Sequence, residues 1–576
     1  MIRRIFSFAR QYKRYVALAP IFVVLETLFE LVLPLLMGKI IDDGIMAGNL
    51  PVIFALGGTM IFMALASTVT GICSAKFAAL ASIGIGANLR RAEFERISQF
   101  SFADIDRFSS ASLITRLTND VTNIQNFSAM CIRMVFRTFT QMIVALVVVF
   151  VLEWKLGMIL LVALPIVGVG VGAIMYVCHP LFSAMQKRID QLNEKVQENL
   201  VGIRVVKAFV REDHERGKFK SANDNYTKAG LSAVMRIVLL DPIMMTGITI
   251  VTALVLYFGG HMVLDGSLEI GALSSINTYI FSILFSVMML AMALLQYVRA
   301  SACAERIFEV LDTEPSIADG DAKELPAPRG KVEFRDVRFK YVATGTGDDV
   351  LEGVTFTAQP GQVVAIVGGT GTGKSTLVNL IPRFYDVTGG AVLLDDLDVR
   401  DYPLEALRSR VGMVLQNNVL FSGTIRENLL WGDPNATEEQ LIQAAKDAQA
   451  YDFIMSFPDG FDTYIEQGGV NVSGGQKQRL CIARAMLRKP AVLILDDSTS
   501  AVDSATEALI RQSFRDNLKD TTVILIAQRI SSVRDADQIL VLDDGVIAGH
   551  GTHEELMAGN AIYQEIYWSQ QEGVQE

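Results

Sequence analysis

Six long apolar runs in the first half of the chain restrict its fold more than any other feature. They are roughly Tyr15–Leu36, Val52–Ala75, Met134–Leu152, an uncharged stretch between Lys155 and Lys187, Pro242–Val263 and Ile270–Val298. Each is near the ~20 residues that an α-helix needs to cross hydrocarbon. A soluble core helix is rarely apolar on every face over such a length. The sequence therefore predicts an all-α domain of six membrane helices over residues 1–311. Hydrophobic residues make up 51% of the 576, and mean hydropathy is +0.36. The net charge of −11 is misleading, because most of the acid lies in the second half.

The loops set the orientation. Ile41–Pro51, Glu153–Lys155 and Leu264–Glu269 are short and share a single lysine, whereas Lys76–Arg133 and Lys187–Arg236 are long and rich in Lys and Arg. Positive charge is retained in the cytoplasm, so the N-terminus and both long loops are expected inside. Met1–Arg14 is basic and aromatic, as suits a helix lying on the membrane surface. It does not read as a cleavable signal peptide. The long loops have helical periodicity, and about 25 helical residues reach nearly 40 Å beyond the bilayer. Ser109–Asp120 and Glu198–Phe209 fall near their tips and, taken alone, read as solvated helical hairpins. No basic tail or basic-aromatic patch points to nucleic acid. Five scattered cysteines argue against a disulfide framework or a zinc site.

Glu26 and Glu30 stand one helical turn apart inside the first run. A carboxylate in a membrane is costly and faces a cavity or a partner. Two readings stay open: a structural pair with Arg133 or Arg137, or a site for cationic substrates. Met244, Met245, Met288, Met289 and Met292 lie in the last two runs. They suit either a cavity that accepts many shapes or ordinary packing.

Residues 312–330, polar and with three prolines, read as a linker. Residues 331–576 alternate strand and helix patterns, as expected of an α/β domain. Within it, Gly368, Gly369, Thr370, Gly371, Thr372, Gly373, Lys374 and Ser375 match the phosphate-binding P-loop. A β-branched run, Gln362–Val367, precedes the loop, and an apolar stretch from Thr376 to Phe384 follows it. Backbone amides would cradle an anion, Lys374 would neutralise phosphate charge, and Ser375 would ligate Mg²⁺. Tyr341, 27 residues upstream, can stack on adenine. Val411–Leu415 reads as a strand ending at Gln416. Val472, Ser473, Gly474, Gly475 and Gln476 open a helix and make a second anion site. Ala491–Leu495 reads as a buried strand ending in Asp496 and Asp497, where a carboxylate can hold Mg²⁺. Asp503 follows, and Thr521–Ala527 is a further strand ending at Gln528.

Together these segments resemble an ABC exporter half-transporter, over essentially the whole length. The signature Val472–Gln476, about 100 residues after the P-loop, is the most specific part. The resemblance implies ATP as nucleotide, with Tyr341, the P-loop and Thr376 around it, and Mg²⁺ held by Ser375, Gln416 and Asp496. It makes Gln416, Asp497 and Gln528 the catalytic positions and Asp503 the D-loop acid. It implies that the two loop tips are coupling helices, and that two ATPase domains close head to tail, each signature on the other's ATP. Localisation in the cytoplasmic membrane, with the ATPase domain in the cytosol, follows from it.

Two positions depart from the family. Its usual Glu after the Mg²⁺-binding Asp is Asp497 here, one methylene shorter. Its switch His is Gln528, which cannot become cationic or relay a proton. The chain thus resembles the degenerate-site subunit of heterodimeric bacterial multidrug exporters. A second, homologous half-transporter is the expected partner, and amphipathic or lipophilic compounds taken from the bilayer are the expected cargo. A lipid flippase, a peptide exporter, or an ATP-gated channel or sensor with little pumping are the alternatives.

Overall fold

The structure, a computed structural model, describes residues 1–341, 349–497 and 502–572. It divides into two compact units: residues 1–96 with 111–313, and residues 97–110 with 314–576.

The first unit is helical. Six helices are long and apolar enough to span a membrane: Arg10–Met46, Leu50–Ile97, Ser110–Leu152, Trp154–Val201, Glu212–Leu264 and Ile270–Asp312. Leu50–Ile97 and Trp154–Val201 have 48 residues each, hence a length of about 70 Å, more than twice the ~30 Å of hydrocarbon. Pro20 and Pro34 lie inside the first helix, and Pro165 and Pro180 inside the fourth. Neighbouring helices can satisfy the backbone groups that proline frees. The bundle core is aliphatic, with Leu156, Leu160, Val255, Ile276, Ile280 and Ile283 buried around Tyr279.

The first and last spans are stapled by polar groups. Tyr279 donates to the Leu31 carbonyl, Ser275 Oγ to the Pro34 carbonyl at 2.7 Å, and the Gly271 N–H to Asp42 Oδ1 at 2.7 Å. Gly271 is where the backbones meet: a Cβ there would lie 2.0 Å from the Gly38 carbonyl oxygen. Small residues of this kind allow close helix approach in a bilayer.

Glu26 and Glu30 both face Arg137, which donates to Glu26 Oε1 and to Glu30 Oε2 at 2.7 Å each. Arg133 stands 3.9 Å from Glu26, and Ser74 Oγ donates to Glu26 Oε2 at 3.0 Å. Glu26 is buried, with Arg137 as its hydrogen-bonded counter-ion. Removing one partner of a buried pair costs about 3–5 kcal/mol. Arg137 is about one third exposed, which puts Arg137→Ala at the lower end of that range. Thermal unfolding in detergent is the check. Arg137→Gln combined with Glu26→Gln should recover most of the loss, because the buried carboxylate is then neutral and the charge that remains, Glu30, is half-exposed.

The second unit is α/β. Its six-stranded sheet runs in the order Val546–Gly551, Gln538–Asp543, Val363–Val367, Thr522–Ile526, Val492–Asp496, Val411–Val414. All neighbours are parallel except the first pair. The inner strands Val492–Asp496 and Thr522–Ile526 are buried along their whole length, as parallel strands covered on both faces must be. A four-stranded antiparallel sheet, Leu351–Ala358, Val332–Phe339, Gly389–Leu394 and Leu397–Asp398, packs into one core with it through Phe334, Val354, Ile366 and Ile494.

One short helix far from this unit in sequence belongs to it. Phe102–Phe108 is closed at its start by a capping box between Ser101 and Asp104. Phe102 packs 4.6 Å from the Phe384 ring, and Tyr385 donates its hydroxyl to Asp106 Oδ2 at 2.8 Å. The Ser316 N–H donates to Asp104 Oδ2 at 3.1 Å. This corrects the first expected tip: the helix that packs on the α/β elements of the second unit is Phe102–Phe108, just upstream of residues 109–120. The capping box starts it, and Ser109, at φ +58°, ends it. Residues Arg116–Asp120 instead form a wide turn in the membrane unit, where Arg116 pairs with Glu309 and Arg306 with Asp120. The second expected tip, Glu198–Phe209, contains the short helix Ile203–Ala208.

Candidate nucleotide site

Four parallel strands deliver their C-terminal ends to one edge of the sheet. Ile526 is in register with both Asp496 and Ile366, and Leu495 with Val414. The residues that follow these ends are the P-loop, Asp497, Gln528 and Gln416. The crevice outside the carboxyl ends of such a sheet is where α/β folds bind ligands.

The loop closes on three glycines with positive φ. Gly371 and Gly373 stand at +85° and +94°, and a Cβ on Gly368 would lie 2.1 Å from the Leu542 carbonyl oxygen. Lys374 folds back over the loop. Its Nζ donates to the Gly368 carbonyl at 3.0 Å and to the Gly369 carbonyl. Burial lowers its pKa, while the charges of Asp496 and Asp497 act in the opposite sense. An ammonium whose acceptors among the described residues are two neutral glycine carbonyls is prepared for polyanionic phosphate. Thr370 and Thr372 lie in the turn, where Thr372 Oγ1 donates to the Gly369 carbonyl at 3.1 Å.

Ser375 Oγ donates to Asp496 Oδ1 at 3.0 Å. Burial raises the Asp496 pKa, partly offset by that hydrogen bond. Next to it, Asp497 sits at φ +47°, with its N–H on the Ile526 carbonyl at 3.0 Å. Asp tolerates this left-handed conformation better than most residues. Gln528 Nε2 donates to Asp497 Oδ2 at 2.7 Å, and Gln416 also hydrogen-bonds the Asp497 side chain. Burial raises the Asp497 pKa, and these amides, with Lys374 and Arg529, oppose the rise. The expected catalytic residues therefore form one hydrogen-bonded cluster beside the loop.

Tyr341 is placed by its hydroxyl, 3.1 Å from Thr376 Oγ1, and its ring stands edge-on to Phe339 and Tyr385. The signature lies elsewhere in the unit. Ser473 caps the helix Gly474–Leu487, accepting from the Gln476 N–H while the Gln476 side chain returns the bond. Gly474 and Gly475 are its first two residues; Ser473 and Gly474 are exposed, Val472 and Gly475 half-buried. Asp503 caps Ser504–Asn517 through the Thr506 N–H at 2.9 Å, which holds its pKa low.

The family pattern described as the ABC transporter transmembrane region matches residues 16–288, and the one described as ABC transporter matches residues 351–500. The ABC transporter ATP-binding protein YfiB of Bacillus subtilis is 38% identical over 573 residues, covering 99% of this chain and 98% of that protein. The chain belongs to the ABC transporter family. An ATP-dependent lipid A-core flippase of Syntrophus aciditrophicus is 35% identical, covering 84% of this chain and 80% of its own. A bacterial Atm1-family ABC exporter solved with ATP bound superposes with a TM-score of 0.81 at 28% identity, over 97% of this chain and 99% of its own. The protein is accordingly an ATP-hydrolysing ABC exporter, a six-span membrane protein with its ATPase unit in the cytosol.

Within this ABC ATPase two contributors escaped the sequence analysis. Gln478, on the signature helix, is buried and places Nε2 3.5 Å from the Asp497 carbonyl oxygen. It links the helix that begins at the signature to the backbone beside the nucleotide loop. Tyr385 touches both Tyr341 and the docking helix Phe102–Phe108. A signal existed for that helix: Ser101-x-x-Asp104 ahead of Phe102, Ile105 and Phe108 is a helix-start pattern. Gln478 gave none, since a glutamine inside an amphipathic helix reads as surface.

Proposed function

We propose that this chain is the slow-site half of a heterodimeric ABC exporter that moves amphipathic or lipophilic compounds out of the cell. The carrying observation is the Asp497 carboxylate tied at 2.7 Å to the Gln528 amide. The acid nearest the attacking position is short, held by neutral amides, and has no imidazole beside it among the described residues. A nucleotide here would be gripped by the loop amides, Lys374 and Tyr341, with Ser375, Asp496 and Gln416 offering oxygen ligands to Mg²⁺. That ion, when bound, would neutralise phosphate charge. The tools for water activation are weak by comparison, since a misplacement of ~1 Å costs about 10²-fold. The exposed start of Gly474–Leu487 would complete the partner's ATP site, where hydrolysis is fast. ATP would then drive transport through its different affinity for the two states of the assembly. Apolar cargo fits the lipid flippase among the relatives.

The test is the purified chain alone in nanodiscs. It should bind ATP with ordinary affinity and hydrolyse it at least about 10²-fold more slowly than together with a homologous half carrying Glu and His at the two positions. Full turnover and transport by two identical copies would overturn the proposal.

A further inference from the structure

The membrane unit contains a cavity of about 440 Å³ lined by Asn126, Phe127, Met130, Met134, Met292, Gln296 and Arg299. This volume is in the range of small-molecule sites. Its walls come from two elements. Asn126, Phe127 and Met130 lie on the helix Val121–Met130, with Met134 in the wide turn after it. Met292, Gln296 and Arg299 follow the helical repeat along one face of Ile270–Asp312. Phe127 and Tyr297 hold the two elements together, ring centroids 6.0 Å apart.

The chemistry is graded. Three thioethers and a phenyl ring form an adaptable apolar wall. Asn126, Gln296 and Arg299 form a polar end, and Arg299 is the one charged side chain among the described lining residues. Several charges of this unit are taken up by ion pairs: Arg137 holds both Glu26 and Glu30, Arg306 holds Asp120, and Arg116 holds Glu309. Arg299 is exposed and takes part in no hydrogen bond or ion pair with the described residues. A guanidinium and two side-chain amides lining one apolar slot are complementary to an oxyanion carried on an apolar body.

We propose that this cavity is the cargo subsite and that Arg299 selects amphiphilic organic anions, carboxylates or sulfonates, over cations. The proposal rests on the export of amphipathic compounds given above and narrows it to one charge class. It also locates charge selection at Arg299, away from Glu26 and Glu30, which Arg137 holds. The bland alternative is an arginine that merely snorkels to the membrane interface. Such a residue would not discriminate the charge of a bound probe.

Two fluorescent probes with the same dodecyl chain decide between them, one ending in sulfonate and one in trimethylammonium. Binding is measured to the full-length protein in nanodiscs of zwitterionic lipid. The wild type is expected to prefer the sulfonate by about tenfold or more, the scale of a charge-assisted hydrogen bond. Arg299→Gln should abolish the preference, Arg299→Glu should reverse it, and Arg299→Lys should keep most of it. ATP binding serves as the folding control for each variant. A preference that survives Arg299→Gln, or equal binding of both probes to the wild type, overturns the anion selectivity while leaving amphiphile export standing. Failure of both probes to bind above empty discs overturns both. If phosphatidylglycerol in the disc abolishes sulfonate binding, the occupant is a lipid and the proposal falls.

Discussion

A Gly474→Asp substitution in this chain is expected to lower ATP turnover of the assembled exporter by at least about 10²-fold, while Lys374→Ala lowers it far less. Both residues lie in phosphate-binding motifs, so a symmetric enzyme would lose equally from each. The asymmetry follows from which ATP each motif would serve. Gly474 is the first residue of a 14-residue helix whose cap, Ser473, is exposed. The free amides and positive dipole end of that helix would face the partner's ATP. A carboxylate at that point repels the γ-phosphate and blocks the approach of the backbone. Loss of one such preorganised electrostatic contact costs about 10²–10³ in rate. Lys374 would act on the slow site, so its loss should show as weaker nucleotide retention. The check is steady-state ATPase of the co-purified halves, with trapped nucleotide counted in parallel. Equal losses from the two substitutions would mean that both sites turn over alike.

Restoring Asp497→Glu together with Gln528→His should raise hydrolysis at this chain's own site by about 10²-fold. The added methylene carries the carboxylate toward the attacking water, and an imidazole replaces the amide that now holds Asp497. The two residues touch, so their effects should not add. Glu alone would still be tied by Gln528, and His alone would face a short acid. ATPase of the purified chain is the measurement. A rise of less than about threefold in the double variant would place the limit elsewhere, in Gln416 or in closure of the dimer.

Much of the nucleotide site was legible because its chemistry is local. A glycine loop between a buried strand and a helix can be recognised from a few consecutive residues, and Gly371 and Gly373 take the positive φ values that such a turn requires. The identities of Asp497 and Gln528 were equally plain. That their side chains meet was not. Their distance is set by the register of Val492–Asp496 against Thr522–Ile526, and no local pattern records it. The docking helix lay half in view. Its capping box is written in the sequence, but its attachment to Phe384 and Tyr385 joins segments almost three hundred residues apart.

The sequence by itself determined the six spans, their orientation and the nucleotide chemistry. Bilayer thickness and phosphate charge act on short stretches, so run length, loop charge and motif are sufficient. Tertiary structure alone decided which charges neutralise one another. Glu26 and Glu30 could have faced a cationic cargo or an arginine, and helix rotation placed both on Arg137. The same packing left Arg299 without a counter-ion among the described residues, in the lining of a methionine-rich cavity. Hydropathy is blind to rotation about a helix axis, and that rotation determines whether a charged side chain is paired or left available to bind.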